Sequence, residues 1–283
     1  MLNREMAFLS TKLRLERYVR SPRWAEAFLL GCIVFGLMYL ANAVFSEVQP
    51  GNWWGLTYGW VAAVLMYGAG VYGVRRRMLH RNLGASKAWV DFHVYGGTLA
   101  AVLFLFHTGF RLPDGLFNWM LWILVVWVTL SGFLGVALQR WIPTILASGL
   151  SVEAVYERIP ELVMQLRERA EKLVAKCSAP IRDFYEANVA VELAEPQPKF
   201  SYYLDVTGGI QARLRSFDFL RRVLSADERT MLDQLQLIYK TKLELDAHYS
   251  LQKALRWWLY THVPLSMVLM LMILLHIWAV WYY

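Results

Sequence analysis

Cysteine is nearly absent from this chain of 283 residues, which has only Cys32 and Cys177. The two lie far apart, so no disulfide framework, CxxC zinc site or cysteine-ligated iron–sulfur cluster can be built from them. Charge is also scarce. Only 18% of residues are Asp, Glu, Lys or Arg, against about a quarter in soluble domains. The chain has no GxGxxG and no Walker A sequence, so a dinucleotide or ATP site has no support. Internal repeats are missing as well.

What is present is apolar and aromatic: 57% of residues are hydrophobic, 15% are aromatic, and 13 are Trp. Mean hydropathy is +0.34. A bilayer core about 30 Å thick needs about 20 apolar helical residues. Five runs of that kind stand out, approximately Trp24 to Val48, Trp53 to Val74, Ala88 to Phe110, Asn118 to Gln139 and Trp257 to Tyr283. Trp and Tyr cluster at their ends, where amphipathic rings anchor at the headgroup level. The expected fold class is therefore all-α, an integral membrane bundle of five transmembrane helices with a mainly helical insert between the fourth and fifth. The expected segments are residues 1–23 as an N-terminal leader, 24–140 as four spans, 141–255 as the insert and 256–283 as the fifth span.

The net charge of +7 comes from 29 Lys and Arg against 22 Asp and Glu, a balance that would suit nucleic acid if the cations shared one surface. They do not. Six precede Trp24, five lie between the second and third spans, 17 lie between Arg140 and Arg256, and Arg111 stands alone on the other side. The alternation follows the positive-inside rule and places the N-terminus and the insert in the cytoplasm and Tyr283 outside. A multi-pass protein of the cell inner membrane is the expected location, with membrane lipid and no nucleic acid among its partners. Ala41-Asn42-Ala43 resembles a cleavage site, but a 23-residue leader before a full-length span predicts no cleavage.

The insert balances 17 basic against 16 acidic residues, as a solvated domain does. Helical periodicity runs from Ser151 to Lys176, and a softer stretch with Pro180, Pro196, Pro198 and Gly208-Gly209 follows. Ser225-Ala226-Asp227-Glu228 reads as a capping box opening a helix that would continue into the fifth span.

The six histidines carry the chemistry. His93 and His107 lie 14 residues apart in the third span, and His262 and His276 lie 14 apart in the fifth. Fourteen residues are nearly four helical turns, about 21 Å, so each pair projects from almost one face. The two spans run in the same direction, which sets His93 level with His262 and His107 level with His276. Two facing imidazoles at each of two depths would clamp one iron each. A tetrahedral ion would be short of ligands with two imidazoles per level. Ionisable residues inside spans are costly and rare, so four in register weigh against simple packing. Gly96-Gly97, Gly109, Gly132 and Gly135 would admit a flat ring, while Arg111, and Lys87 or Arg256, would receive carboxylate-bearing edges.

Around Trp89-Val90-Asp91-Phe92-His93, Phe106-His107-Thr108-Gly109, Tyr260-Thr261-His262-Val263-Pro264 and Leu275-His276 the chain resembles the transmembrane dihaem b-type cytochromes. These include cytochrome b of quinol–cytochrome c complexes and the membrane domain of ferric reductases and NADPH oxidases. The resemblance implies two bis-His b haems on His93, His262, His107 and His276. It also implies electron transfer across the membrane, as the membrane subunit of an oxidoreductase complex. Quinone is a further cofactor or substrate candidate. The redox partners expected are a c-type cytochrome outside and a ferredoxin-like or iron–sulfur protein inside. The chain departs from both families in its large insert and in having no flavin or nicotinamide domain after the last span.

His248 lies 14 residues before His262 and His80 lies 13 before His93. They are expected to be exposed, with a third haem at His248 the minor alternative. Asp91 reads as a cap for the third span, Pro264 as a kink, and Met267, Met270 and Met272 as packing. A haem-free transporter or sensor, with the histidines relaying protons or binding an ion, is the competing function.

Overall fold

The computed structural model describes residues 22–77, 85–149, 154–203 and 205–282, and among these the chain is helical, with no strand. The α-helices are α1 (Pro22–Phe45), α2 (Trp53–Arg77), α3 (Ser86–Thr108), α4 (Leu116–Gly149), α5 (Ile159–Val174), α6 (Ala179–Asn188), α7 (Val206–Arg221) and α8 (Ala226–Tyr282). Single 3-10 turns occupy Tyr156–Arg158 and Phe200–Tyr203. Of the described helices, α1, α3, α4 and α8 are long and apolar enough to cross a membrane. The second expected span is helical, as α2, but is not among those four. Its Trp, Tyr and Gly residues and terminal Arg75-Arg76-Arg77 dilute its apolar character. The described residues form two compact units, one built from residues up to Phe133 together with those from Thr261 onward, the other from Leu134 to Tyr260.

In the first unit α2 and α3 pack closely along their length, and α1 packs on α3. The α1–α3 contact is aromatic, through Trp24 on Phe92 at 5.9 Å, Phe28 near Tyr95 at 6.0 Å and Tyr39 stacked on Phe106 at 4.6 Å between ring centroids. The opposite face of α1 leaves Leu29, Leu30, Ile33, Leu37 and Leu40 exposed, a stripe that only an apolar solvent would cover at low cost. Helix α3 ends on Gly109, whose φ of 60° suits a residue without Cβ. The Phe110 amide then closes the cap on the Leu105 carbonyl.

The second unit has an ordinary apolar core. Ile159, Val163, Leu166, Ala170 and Val174 form one buried stripe of α5, at the spacing of a single helical face. They meet Ile181, Tyr185, Phe217, Leu232, Leu235 and Tyr239. Burial of a Val- or Leu-sized side chain stabilises such a core by about 1.5–3 kcal/mol.

Helix α8 begins on the expected capping box. The Ser225 amide and hydroxyl both donate to Glu228 Oε2, at 3.0 and 2.7 Å. From there α8 continues without interruption to Tyr282, through Pro264. Tyr260 thereby loses its usual i+4 donor. Helix α4 likewise extends past the expected end at Gln139, through Pro143 to Gly149.

Between Lys242 and His248 every residue of α8 is buried, although Lys242, Glu244, Asp246 and His248 are polar or charged. Lys242, Asp246 and Ser250 are satisfied by local pairing. Lys242 Nζ donates to Asp246 Oδ2 at 2.6 Å, the Gln197 amide donates to Asp246 Oδ1 at 3.0 Å, and the Lys199 amide donates to Ser250 Oγ at 3.1 Å. Burial lifts the Asp246 carboxyl and lowers the Lys242 ammonium, each opposed by the other's charge. The Pro196–Pro198 stretch is thus ordered against α8. His248, expected to be exposed, lies within this buried belt, because α8 is enclosed on all sides here. His80 lies outside the described residues.

Glu192 ties the same region together, accepting from Lys199 at 3.0 Å, Tyr239 at 2.6 Å and Arg213. Burial raises its carboxyl pKa, but the Tyr239 and Lys199 hydrogen bonds and the two cations outweigh this and hold it below the ordinary carboxylate range. A depressed carboxylate contributes stability that is present above its unfolded pKa of about 4.3 and is lost as pH falls through the folded value. Glu192→Gln therefore lowers the unfolding temperature of the second unit at pH 7, and the gap from the unaltered protein narrows below about pH 4. Thermal scans monitored by helical circular dichroism across pH 3–8 check this; a gap unchanged at acid pH contradicts it.

Candidate paired-imidazole site

Two imidazole pairs form inside the first unit. His93 of α3 meets His262 of α8 with ring centroids 6.3 Å apart and planes at 75°. Fourteen residues further along both helices, His107 meets His276 at 6.4 Å and 85°. The equal spacing on α3 and α8 therefore yields two tiers of the same geometry, separated along α3 by about 21 Å.

Each ring is held by its surroundings. His93 Nδ1 lies 3.0 Å from the Ala69 carbonyl and His107 Nδ1 lies 2.9 Å from the Gly55 carbonyl, both on α2. A carbonyl only accepts, so both Nδ1 atoms carry the proton and leave the Nε2 lone pair available. His262 Nδ1 lies 2.8 Å from Ser131 Oγ on α4. That hydroxyl donates its own proton to the Val128 carbonyl at 3.1 Å, so it accepts from Nδ1–H and fixes the same tautomer. His276 is held differently, stacked on Phe117 at 6.4 Å and 13°. Tyr72 flanks His93 at 5.5 Å.

Small residues make room for these rings. A Cβ on Gly59 would come within 2.8 Å of His107 Nδ1, whereas one on Gly132 would touch His262 Cε1 at 3.7 Å. Met270 packs with its sulfur against Gly70 and its carbonyl against the Tyr67 hydroxyl. Met272 is buried and Met267 is exposed, so this stretch packs rather than converging on the imidazoles.

The centroid separations are those that two imidazoles on one iron would have. Two metal–imidazole bonds of about 2 Å, plus roughly 1 Å from each ring centre to its nitrogen, set axial imidazole centroids about 6 Å apart. No group of three or more His, Cys, Asp or Glu side chains comes together among the described residues. Each tier therefore brings two imidazoles together, two protein ligands short of a tetrahedral zinc among the described residues.

The remaining expected residues divide. Arg111 stands exposed two residues past the Gly109 cap, at the His107 end of α3. Lys87 is half-buried in the first turn of α3. Arg256 is engaged within the second unit, paired with Glu157 and stacked over Tyr156 at 4.1 Å. Asp91 does not cap α3. The helix begins at Ser86 with Ala85 in the cap position, which places Asp91 beyond the first turn. Ser131, Gly55, Gly59 and Phe117 were not singled out by sequence reasoning. Ser131-Gly132 inside an apolar span, and Gly55 and Gly59 at a four-residue interval, were the available signals.

Comparison with protein-family models, with curated proteins and with solved structures returned no match.

The pairing can be tested without a cofactor. In a chain carrying Cys32→Ser and Cys177→Ser, a short bis-maleimide joins the His93→Cys/His262→Cys pair and the His107→Cys/His276→Cys pair. It fails on His93→Cys/His276→Cys, whose sites lie a tier apart. Cross-linking of the mismatched pair with equal yield contradicts the register.

Proposed function

We propose that this chain is a membrane subunit holding two b haems, one on His93 and His262 and one on His107 and His276, and that it passes electrons between the two faces of the membrane. The observation that carries the reading is the recurrence, one 14-residue interval apart, of an imidazole pair at the separation of axial ligands. The resemblance of the histidine segments to dihaem b-type cytochromes supports it. A bound haem supplies a one-electron couple and no proton chemistry of its own.

The chain's residues do the rest. Ala69, Gly55 and Ser131 keep a proton on Nδ1 of three histidines, which presents Nε2 as ligand and strengthens its donation. Val125, Val128 and Leu269 form a small buried apolar cluster in the same unit, and apolar burial raises the cost of charge. Arg111 offers an exposed guanidinium at the His107 end for a carboxylate-bearing edge.

The topology in this reading has five spans, α2 included, with the N-terminus and the 141–255 insert in the cytoplasm and the C-terminus outside. The distribution of basic residues supports it. Quinone, or a c-type cytochrome outside and a ferredoxin-like or iron–sulfur protein inside, would exchange electrons with the centres.

His93→Ala and His107→Ala should each remove one of two haems, measured as haem per protein by alkaline pyridine spectra, and the double variant should remove both. Gly59→Val should mimic His107→Ala by driving a side chain into the His107 ring. Full haem content in His107→Ala overturns the assignment of that tier. Absence of haem from the unaltered protein leaves the transporter or sensor reading in its place.

A further inference from the structure

The two tiers do not hold their imidazoles alike. At the His107/His276 tier the hydrogen-bond acceptor is the Gly55 backbone carbonyl, and the partner ring is stacked on Phe117. At the His93/His262 tier one acceptor is again a backbone carbonyl, from Ala69. The other is a side chain, the Ser131 hydroxyl. Ser131 is buried, at 8% exposure, and a serine in an apolar span needs a reason to be there.

Its reason is directional. The hydroxyl has one proton, and the Val128 carbonyl at 3.1 Å takes it. The lone pairs are then turned to His262 Nδ1 at 2.8 Å. Gly132 follows directly, and the space where its Cβ would stand is 3.7 Å from His262 Cε1. Ser131 and Gly132 together form a seat for the imidazole, one holding its N–H and the other leaving room for its edge.

Resting on the two-haem reading above, we infer that Ser131 is a positioning residue for the His93/His262 centre, fixing the tautomer and rotation of His262 and thereby setting the reduction potential of that haem alone. A hydrogen bond accepted from Nδ1–H makes the imidazole a more basic ligand. A more basic ligand favours ferric over ferrous iron, so the hydroxyl holds the potential of this centre down. The same substitution cannot act on the His107/His276 tier, where the acceptor is backbone.

The test is a redox titration of the unaltered protein, Ser131→Ala and Ser131→Thr, followed by haem absorption. In Ser131→Ala the ferrous-to-ferric ratio of one centre at fixed applied potential should rise roughly threefold to tenfold, tenfold being about 59 mV for one electron. The other centre should not move. Ser131→Thr keeps the hydroxyl and should restore both potentials. Repeating the pair in a His107→Ala background assigns the shift to the remaining centre. Unchanged potentials in Ser131→Ala, with two haems bound, overturn this inference and leave the two-haem reading intact. Absence of haem from the unaltered protein overturns the underlying reading instead. Should Ser131→Ala fail to assemble, Ser131→Cys, which keeps the volume but offers a poorer acceptor, must show the same one-centre rise; no rise overturns the inference.

Discussion

An imidazole inside an apolar bundle has one N–H that must be satisfied, and where that hydrogen bond goes decides what the other nitrogen can do. In this protein three of the four paired histidines direct Nδ1 to a fixed acceptor, two to α2 carbonyls and one to Ser131. At His93 and His107, where the acceptor is a carbonyl, this leaves the Nε2 lone pair available, and the four rings meet in pairs with centroids 6.3 and 6.4 Å apart. The close α2–α3 packing has a direct role in this arrangement, because it brings the Gly55 and Ala69 carbonyls to the rings. Small residues in α2 and α4 follow from the same need, since a Cβ at Gly59 would displace His107.

The second unit solves a different problem. Its α8 segment is enclosed on all sides while carrying Lys242, Glu244, Asp246 and His248. An unpaired buried charge would cost several kcal/mol. The unit answers with an i,i+4 ion pair, amides from the 197–199 segment, and Glu192 gathering Lys199, Arg213 and Tyr239. Removing one member, such as Lys242→Ala, leaves a charge without compensation. The polar belt therefore specifies how the 190–203 segment lies against α8.

Much of this was legible in the residues. Fourteen-residue spacing in two spans was enough to place His93 with His262 and His107 with His276, because helical pitch is rigid and both helices persist through the interval. The capping box at Ser225 was legible for the same reason, being local. Tertiary features were not. Asp91 looked like a cap because the apolar run begins near it, yet Ser86 and Lys87 already belong to the helix. His248 was expected to be exposed because no partner histidine was expected at its height, and only the packing of insert segments around α8 buries it. Ser131 was invisible as a functional residue, since its meaning depends on a histidine 131 positions away. The helical state of α2 was expected, but its Trp, Tyr and Gly content leaves it outside the set of clearly apolar spans.

The most direct test of the two-tier account is an anaerobic redox titration of the purified, unaltered protein in detergent or lipid nanodiscs, with the reduced-minus-oxidised b-type absorption band followed against applied potential. The account predicts two haems per chain and two one-electron steps of comparable amplitude. A single step with one haem per chain, or no haem absorption at all, would contradict it.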